Sequence, residues 1–232
     1  MPSVTAVVAA AGSGERLGAG GPKAFVPVAG KRLIEWSLAA LRAAPSVGAI
    51  VVACPPGRAG ELEDGLGELE NGLSGAGLSL VEGGATRADS VANGLALVET
   101  ELVAIHDAAR PLLTPELVEG VVGGLVSDPD ADAAIAAAPL TDTIKRGGSN
   151  VEETVDRALL WAAQTPQVFR TEALRRAIDS YPADAPEPTD EAMLIEAAGG
   201  RVLIHSASPE NLKVTTPLDL RVAELLLADR VR

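Results

Sequence analysis

"TAVVAAAGSGERLGAGGPKAF" (residues 5–25) places an apolar run directly before a loop rich in glycine. Five of the ten residues from Gly12 to Gly21 are glycine, and two cations, Arg16 and Lys23, lie among and just after them. An apolar run without polar alternation is typical of a strand that is buried on both faces. A glycine-rich loop at the carboxyl end of such a strand can surround phosphate oxygens with backbone N–H groups. The stretch therefore predicts an α/β fold whose first loop binds a phosphorylated ligand.

Two better-known glycine motifs fit this loop poorly. Gly12-Ser13-Gly14 begins like the dinucleotide-binding fingerprint, but the chain then continues as loop through Pro22. The second predicted strand ends in "CPP" (54–56), where that fold carries an acid for the ribose, so a nicotinamide oxidoreductase is disfavoured. A Walker loop is excluded because no Gly-Lys-Ser/Thr follows. The remaining alternative is a flexible connection whose cations lie in solvent. It is less favoured because glycines and cations coincide at the end of a strand.

Apolar runs alternate with helical patterns along the chain, which predicts a parallel sheet covered by helices. The predicted strands are 5–10, 48–54, 78–83, 102–108, 133–140 and 201–207. The predicted helices are 33–44, 114–126 and 215–230, with a frayed acidic helix over 57–76. Residues 141–157 depart from this alternation and predict two polar strands joined at "GGSN". Such a hairpin is marginal alone in water, so it is either a mobile loop or an arm that packs on a second subunit.

Length and composition narrow the classes of protein that remain. The 232 residues suffice for one α/β domain with a core of its own. A net charge of −13 and only five aromatic residues argue against a nucleic-acid partner. The single cysteine, Cys54, cannot form a disulfide within the chain, which favours a cytoplasmic protein. No apolar run has the length of a membrane span, and we expect the apolar start to be a buried strand rather than a signal peptide.

A carboxylate follows a buried strand in "VAIHDAARP" (103–111). Asp107 lies at the carboxyl end of that strand, where ligands of α/β sheets bind, and it is suited to hold Mg²⁺. A salt-bridged or helix-capping aspartate is the alternative. His106 is expected to be structural, because alternation along the strand points it away from the side of Asp107.

Several further polar clusters lie near the ends of predicted elements. "GGATRADSV" (83–91) follows a strand, and its two glycines allow a flat base to approach the backbone closely. The alternative there is a tight turn followed by a helix. Thr165, Thr189 and Lys213 stand in other such clusters and are possible anion contacts.

Seven segments, in this order, resemble the motif series of the 2-C-methyl-D-erythritol 4-phosphate cytidylyltransferase family. They are "AAAGSGERLGAGGPK" (9–23), "GGATRADSVANGL" (83–95), "VAIHDAARP" (103–111), "PLTDTIKR" (139–146), "TVDRALLWAAQTPQVF" (154–169), "PTDEAMLIEAAGG" (188–200) and "ENLKVTTPLDL" (210–220). The resemblance runs from about residue 5 to residue 225, which is nearly the whole chain.

The resemblance implies both a fold and a reaction. The fold is a doubly wound, mostly parallel, Rossmann-like nucleotidyltransferase sheet with a protruding β-hairpin arm. Residues 1–232 then form one domain, and residues 139–160 form an arm that is exchanged between the subunits of a homodimer. The reaction joins CTP to methylerythritol phosphate and releases pyrophosphate in non-mevalonate isoprenoid biosynthesis, with Mg²⁺ as the cofactor.

The resemblance also assigns roles to individual residues. It implies that Arg16 and Lys23 stabilise the transition state, while Lys213 and Arg157, the latter reaching in from the partner subunit, hold the nucleophile. The implied nucleotide contacts are Ala10, Ala11, Gly12, Gly84, Ser90, Asp107 and Ala108, with Asp107 also the metal ligand. The implied acceptor contacts are Arg110, Thr143, Arg157, Thr165, Thr189 and Lys213.

Two departures from the family pattern stand at Ala24, which is usually Gln, and at Ala85, which is commonly acidic; the second is expected to alter a ribose or base contact. The choice of CTP rests on the resemblance alone. Two other functions remain open: a ribitol 5-phosphate cytidylyltransferase, and a nucleotide-binding regulatory subunit without catalysis. The presence of both Arg16 and Lys23 argues against the second.

Overall fold

A computed structural model describes residues 3–18, 20–58, 60, 77–182 and 184–230. Its strands, numbered in chain order, are β1 (Val4–Ala9), β2 (Pro27–Val28), β3 (Lys31–Arg32), β4 (Val47–Cys54), β5 (Gly77–Glu82), β6 (Leu102–Asp107), β7 (Ala133–Pro139), β8 (Ile144–Gly147), β9 (Val151–Val155), β10 (Trp161–Arg170) and β11 (Val202–Ser206). The α-helices of the described residues are α1 (Leu33–Ala43), α2 (Arg87–Leu95), α3 (Pro115–Ser127), α4 (Thr171–Ser180), α5 (Glu191–Ala197) and α6 (Pro217–Arg230). None of the helices in these ranges has the length and apolarity needed to cross a bilayer.

Seven strands form the central sheet, in the order β5-β4-β1-β6-β10-β7-β11. Every neighbouring pair is parallel except the two that involve β10, which runs antiparallel to both β6 and β7. The chain starts in the middle of the sheet and fills first one side and then the other. The predicted α/β fold with a doubly wound, mostly parallel sheet is therefore confirmed, and each predicted strand lies within two residues of its expected bounds.

Helices cover both faces of the sheet because successive residues of a strand point to opposite faces. Val8 of β1 packs in a core with Ile34 of α1 and Val118 of α3. Val7, one residue earlier, packs on the other face with Val91 of α2 and Leu174 of α4. Burial on both faces explains the run of apolar residues without alternation in β1.

Strand β10 is the strand of the central sheet that the sequence pattern did not predict. Its sequence contains Pro166, and its register with β7 shifts between Ala163 and Gln167. Proline cannot donate to a sheet ladder and is tolerated at such irregularities. Helices α4 and α5 were also not predicted, and the predicted helix over 57–76 lies almost entirely outside the described residues.

Strands β8 and β9 form the predicted polar hairpin, joined across residues 148–150. Most of its residues are exposed, and Arg146 and Glu153 form an ion pair of 2.7 Å across it. Three apolar side chains at the hairpin and its base are exposed to solvent: Val151, Leu159 and Trp161. We call residues 139–160 the arm.

Candidate active site

Two adjoining cavities lie at the carboxyl ends of the central parallel strands, where ligands bind in open α/β sheets. The large cavity has a volume of about 660 Å³, and the small cavity has a volume of about 220 Å³. Arg87, Asp107 and Lys213 line both cavities and form their common wall. The predicted residues Ala10, Ala11, Gly12, Arg16, Lys23, Gly84, Ser90 and Ala108 line the large cavity.

The glycine-rich loop folds back on itself at the mouth of the large cavity. The N–H of Lys23 donates to the carbonyl of Gly12 at 3.2 Å, which closes the loop. Gly14 has φ 77°, and a Cβ there would lie 2.9 Å from the Gly21 carbonyl oxygen and 3.0 Å from the Lys23 nitrogen. Glycine is therefore required at position 14 both for its conformation and for space. The fold of the loop sets the Lys23 side chain at the cavity wall.

The turn between β5 and α2 also lines the large cavity. The N–H of Gly83 donates to the Cys54 carbonyl at 2.7 Å, and a Cβ on Gly83 would lie 2.4 Å from that of Ala11. The N–H of Gly84 donates to the Ser90 hydroxyl at 3.1 Å. Ala85 is exposed at this wall and lines the large cavity. The turn approaches the glycine loop this closely because its first residue has no side chain.

Asp107 is buried at the common wall and surrounded by cations. Its Oδ1 accepts from Arg87 Nε at 3.0 Å, and its Oδ2 accepts from Lys213 Nζ at 2.7 Å. Arg110 Nε lies 3.9 Å from the same Oδ2. Burial opposes a charged carboxylate, but Arg87 and Lys213 hold the pKa of Asp107 well below its usual range. Asp107 is therefore ionised at physiological pH.

Arg87 joins Asp107 to a second buried carboxylate, Glu191 of α5. Its Nη1 donates to Glu191 Oε1 at 2.7 Å, and the Glu191 side chain is only 3% exposed. Burial raises the pKa of Glu191, although the charge of Arg87 opposes this shift. Burial lowers the pKa of Arg87, but Asp107 and Glu191 raise it by more. Sequence patterns assigned no role to Arg87 or Glu191, because more than 100 residues separate the two along the chain.

The pKa of the Lys23 ammonium is lower than that of an ordinary lysine. Burial lowers the pKa of Lys23 to about 8, with further lowering by Lys213 and Arg16 and partial opposition from Asp107. Positive charge is therefore concentrated at one end of the large cavity, in a protein whose net charge is −13. Such a local concentration favours an anionic ligand.

The small cavity collects four of the six residues predicted to contact an acceptor: Arg110, Thr165, Thr189 and Lys213. Arg110 is fixed there by donating to the carbonyls of Asn211 at 2.7 Å and Ala163 at 3.3 Å. The cavity is also lined by Gln164, Gln167 and Asp190, which sequence reasoning missed.

The other two predicted acceptor contacts, Thr143 and Arg157, line neither cavity. Both are exposed on the arm, and Arg157 Nη1 donates to the carbonyl of Thr141 of the same arm. Within one chain, the structure does not bring these two residues to the common wall.

His106 is fully buried. Burial lowers the pKa of His106 to about 4, so the ring is neutral at physiological pH. Among the described residues, no group of three or more His, Cys, Asp or Glu side chains is placed to hold a metal ion.

A glycine-rich loop beside a cation-lined second cavity, at the carboxyl ends of a doubly wound α/β sheet, is the arrangement expected of a nucleotidyltransferase. The model of the family described as 2-C-methyl-D-erythritol 4-phosphate cytidylyltransferase matches residues 4–229. The chain belongs to this family.

Individual relatives agree with the family match. The 2-C-methyl-D-erythritol 4-phosphate cytidylyltransferase of Symbiobacterium thermophilum is 40% identical over 233 residues, which cover 99% of this chain and 94% of the relative. The protein of the same name from an Azoarcus species is 42% identical over 236 residues, which cover 99% of this chain and 96% of the relative. The crystal structure of the Thermus thermophilus enzyme of this name is similar with a TM-score of 0.77 and 34% identity, covering 97% of this chain and 98% of that one.

Proposed function

We propose that this chain transfers a cytidylyl group from CTP to 2-C-methyl-D-erythritol 4-phosphate, forming 4-diphosphocytidyl-2-C-methyl-D-erythritol and pyrophosphate in non-mevalonate isoprenoid biosynthesis. The observation that carries the proposal is the common wall of the two cavities. A reaction that joins two anionic substrates needs two binding sites that meet where the new bond forms. Here the large cavity suits a triphosphate and the small cavity suits a sugar phosphate. The wall between them is lined by Arg87, Asp107 and Lys213.

The chemistry needs positioning and charge neutralisation rather than a general base. A phosphate monoester carries nearly two negative charges near neutral pH, because its second pKa is about 6. One of its oxygens attacks the α-phosphorus of CTP, and the bond from that phosphorus to the bridging oxygen of the β-phosphate breaks, which releases pyrophosphate. Lys23 and Arg16 meet the charge that develops at the α-phosphorus. Lys213 and Arg110 hold the acceptor phosphate from the side of the small cavity.

Magnesium is the cofactor of this proposal, and Asp107 is the residue that would hold it. Magnesium sites for nucleotides commonly use one or two carboxylates, with phosphate oxygens and waters as the other ligands. The Asp107 carboxylate is ionised and lines both cavities. Because Arg87 and Lys213 hold its two oxygens, a metal ion would have to displace one of these cations. When bound, the ion neutralises charge on the phosphate oxygens.

The proposal includes a homodimer in which the arm of one subunit completes the site of the other. A two-stranded ribbon is marginally stable alone in water. This one exposes Val151, and Leu159 and Trp161 are exposed at its base. Arg157 lies on the same arm, outside both cavities of its own chain. Residues 1–232 act as one domain apart from the arm, in the cytoplasm and without a nucleic-acid partner; the net charge of −13 and the single cysteine support this setting.

The substrates are tested by pyrophosphate release with each of the four nucleoside triphosphates and two acceptors, 2-C-methyl-D-erythritol 4-phosphate and ribitol 5-phosphate. We expect turnover with CTP and the methylerythritol phosphate. A preference for ribitol 5-phosphate would reassign the acceptor, and CTP binding without turnover of either acceptor would indicate a regulatory subunit.

The large cavity is tested by Lys23→Ala, with Lys31→Ala as the matched control. Loss of one donor to the developing charge typically lowers the rate about a hundredfold or more. Lys31 lies over the Trp36 ring and lines neither cavity, so its removal should leave the rate unchanged. A Lys23→Ala enzyme within tenfold of the wild-type rate would count against the proposed site.

The shared site is tested by mixing subunits. Neither Arg157→Ala nor Lys23→Ala should be active alone, whereas a hybrid dimer contains one site that carries neither change. We therefore expect subunit exchange to restore part of the activity. Absence of restoration, with exchange verified by native mass spectrometry, would contradict an arm that contributes to its partner's site.

A further inference from the structure

Both ring nitrogens of the buried His106 have polar partners on residues that line the small cavity. Nε2 lies 3.3 Å from the carbonyl oxygen of Arg110, and Nδ1 lies 3.0 Å from the hydroxyl of Thr165. The same hydroxyl lies 3.1 Å from the backbone nitrogen of Asp107. The imidazole therefore joins the turn after β6 to the side chain of a β10 residue.

The directions of these three hydrogen bonds follow from the Arg110 carbonyl oxygen. A carbonyl oxygen only accepts, so Nε2 of His106 carries the proton and donates to Arg110. In a neutral ring the other nitrogen, Nδ1, must then accept, and the Thr165 hydroxyl is its donor. The Thr165 oxygen in turn accepts the N–H of Asp107. The single proton of the Thr165 hydroxyl is thus already used within the protein.

We infer that His106 is a positioning residue for the proposed transfer reaction: acting through the Thr165 hydroxyl, it fixes the backbone of Asp107 at the common wall. Thr165 then serves as the link between imidazole and backbone and has no proton to donate to an acceptor phosphate. This assignment rests on the proposed function and differs from the direct acceptor contact that the family resemblance implies for Thr165.

The surrounding contacts favour this role. The N–H of Arg110 donates to the Asp107 carbonyl at 3.0 Å, so residues 107–110 form a turn. Its last carbonyl contacts His106, and its first N–H donates to Thr165. Asn211 donates to the Thr165 carbonyl at 2.9 Å, which holds the threonine backbone as well. Thr165 is 3% exposed and lies where the register of β10 with β7 is interrupted. Irregularities of this kind aim side chains next to active sites.

The kinetic test compares Thr165→Val, Thr165→Ser and His106→Phe with the wild type. If the inference holds, Thr165→Val and His106→Phe each lower kcat about tenfold, the effect of one lost hydrogen bond in a coupled network, while KM for the acceptor changes less than about threefold. The kcat of the double variant should be no lower than that of either single variant, because both changes break the same series of hydrogen bonds. Thr165→Ser retains a hydroxyl and should recover most of the rate that Thr165→Val loses.

A direct contact between Thr165 and the acceptor gives a different pattern. Thr165→Val would then raise KM for the acceptor while leaving kcat intact, and His106→Phe would change neither constant. That result overturns the inference, as does a double variant whose losses multiply. Thermal unfolding of each variant identifies any that fail to fold, and the tautomer itself is measured below on the wild-type protein.

The tautomer of His106 is measured by ¹⁵N NMR of the ligand-free protein. The chain contains two histidines, so a His205→Gln sample identifies the His106 resonances. We expect the Nε2–H tautomer, with Nδ1 accepting a hydrogen bond that disappears in Thr165→Val. An Nδ1–H tautomer would leave the Thr165 proton available and would overturn this inference alone. Absence of CTP turnover with every polyol phosphate would instead overturn the proposed function alone.

Discussion

The pKa of Lys23 predicts that catalytic efficiency falls in mildly alkaline solution. An amine whose pKa is lowered loses its proton, and its positive charge, at a lower pH than usual. With a pKa of about 8, Lys23 is charged in roughly nine molecules of ten near pH 7 and in roughly one of ten near pH 9. A neutral lysine cannot meet the charge that builds at the α-phosphorus, and loss of such a donor costs about a hundredfold. The value of kcat/KM for CTP should therefore fall nearly tenfold between these two pH values.

The assay follows pyrophosphate release at saturating acceptor from about pH 7 to about pH 9.5, and uses kcat/KM because this ratio reports the ionisation of the free enzyme. Lys23→Arg is the matched control, since a guanidinium keeps its charge throughout this range. We expect a lower but level profile for that variant. The acceptor phosphate loses its second proton near pH 6 and is fully ionised over the whole range.

Two results would refute this reasoning. A wild-type profile that stays level to about pH 9.5 would mean that Lys23 keeps its proton or does not act on the reaction. An alkaline fall that persists in Lys23→Arg would assign the titration to another group.

Three further predictions concern stability and are measured by urea unfolding. Arg87→Met leaves the buried Glu191 without its partner and should lower the free energy of unfolding by about 3 kcal/mol. The double variant Arg87→Met/Glu191→Gln should recover most of this loss. Absence of recovery would mean that the unpaired Glu191 does not cause the loss of stability. Gly94→Ala would place a Cβ 2.5 Å from a β1 valine methyl and should lower the free energy of unfolding by roughly 1–3 kcal/mol. Gly123→Ala, whose Cβ would have no atom within 4 Å, should raise it by up to about 1 kcal/mol. Equal effects of the two changes would contradict the close packing at Gly94. Ala29 has φ 47° in the turn between β2 and β3, so Ala29→Asn should add roughly 0.5–1 kcal/mol, and a loss would show that this turn differs.

The parts of the site that a local pattern encodes were predictable from the sequence. The glycine loop, which carries Lys23, begins directly after β1, and Asp107 is the last residue of β6. Parallel strands bring their carboxyl ends to one edge of the sheet. Their convergence at the large cavity therefore needed no knowledge of helix packing. The arm was also predictable, because its polar strands flank a turn of glycine, serine and asparagine.

The rest of the site depends on pairings that no local pattern encodes. Glu191 reaches the common wall only because α5 packs beside the sheet, and its distance from Arg87 along the chain hides the pairing. Strand β10 was missed because a proline and two glutamines interrupt its apolar pattern, although Phe169 at its far end is fully buried. The Thr165 hydrogen bonds depend on the direction of that strand.

Strand β10 leaves the arm at Trp161 and passes Thr165 before it enters the core. Because β10 runs antiparallel to β6, one short stretch of backbone connects the exposed ribbon to the reaction centre. We therefore expect that a peptide or antibody fragment that binds the ribbon inhibits the enzyme without competing with either substrate.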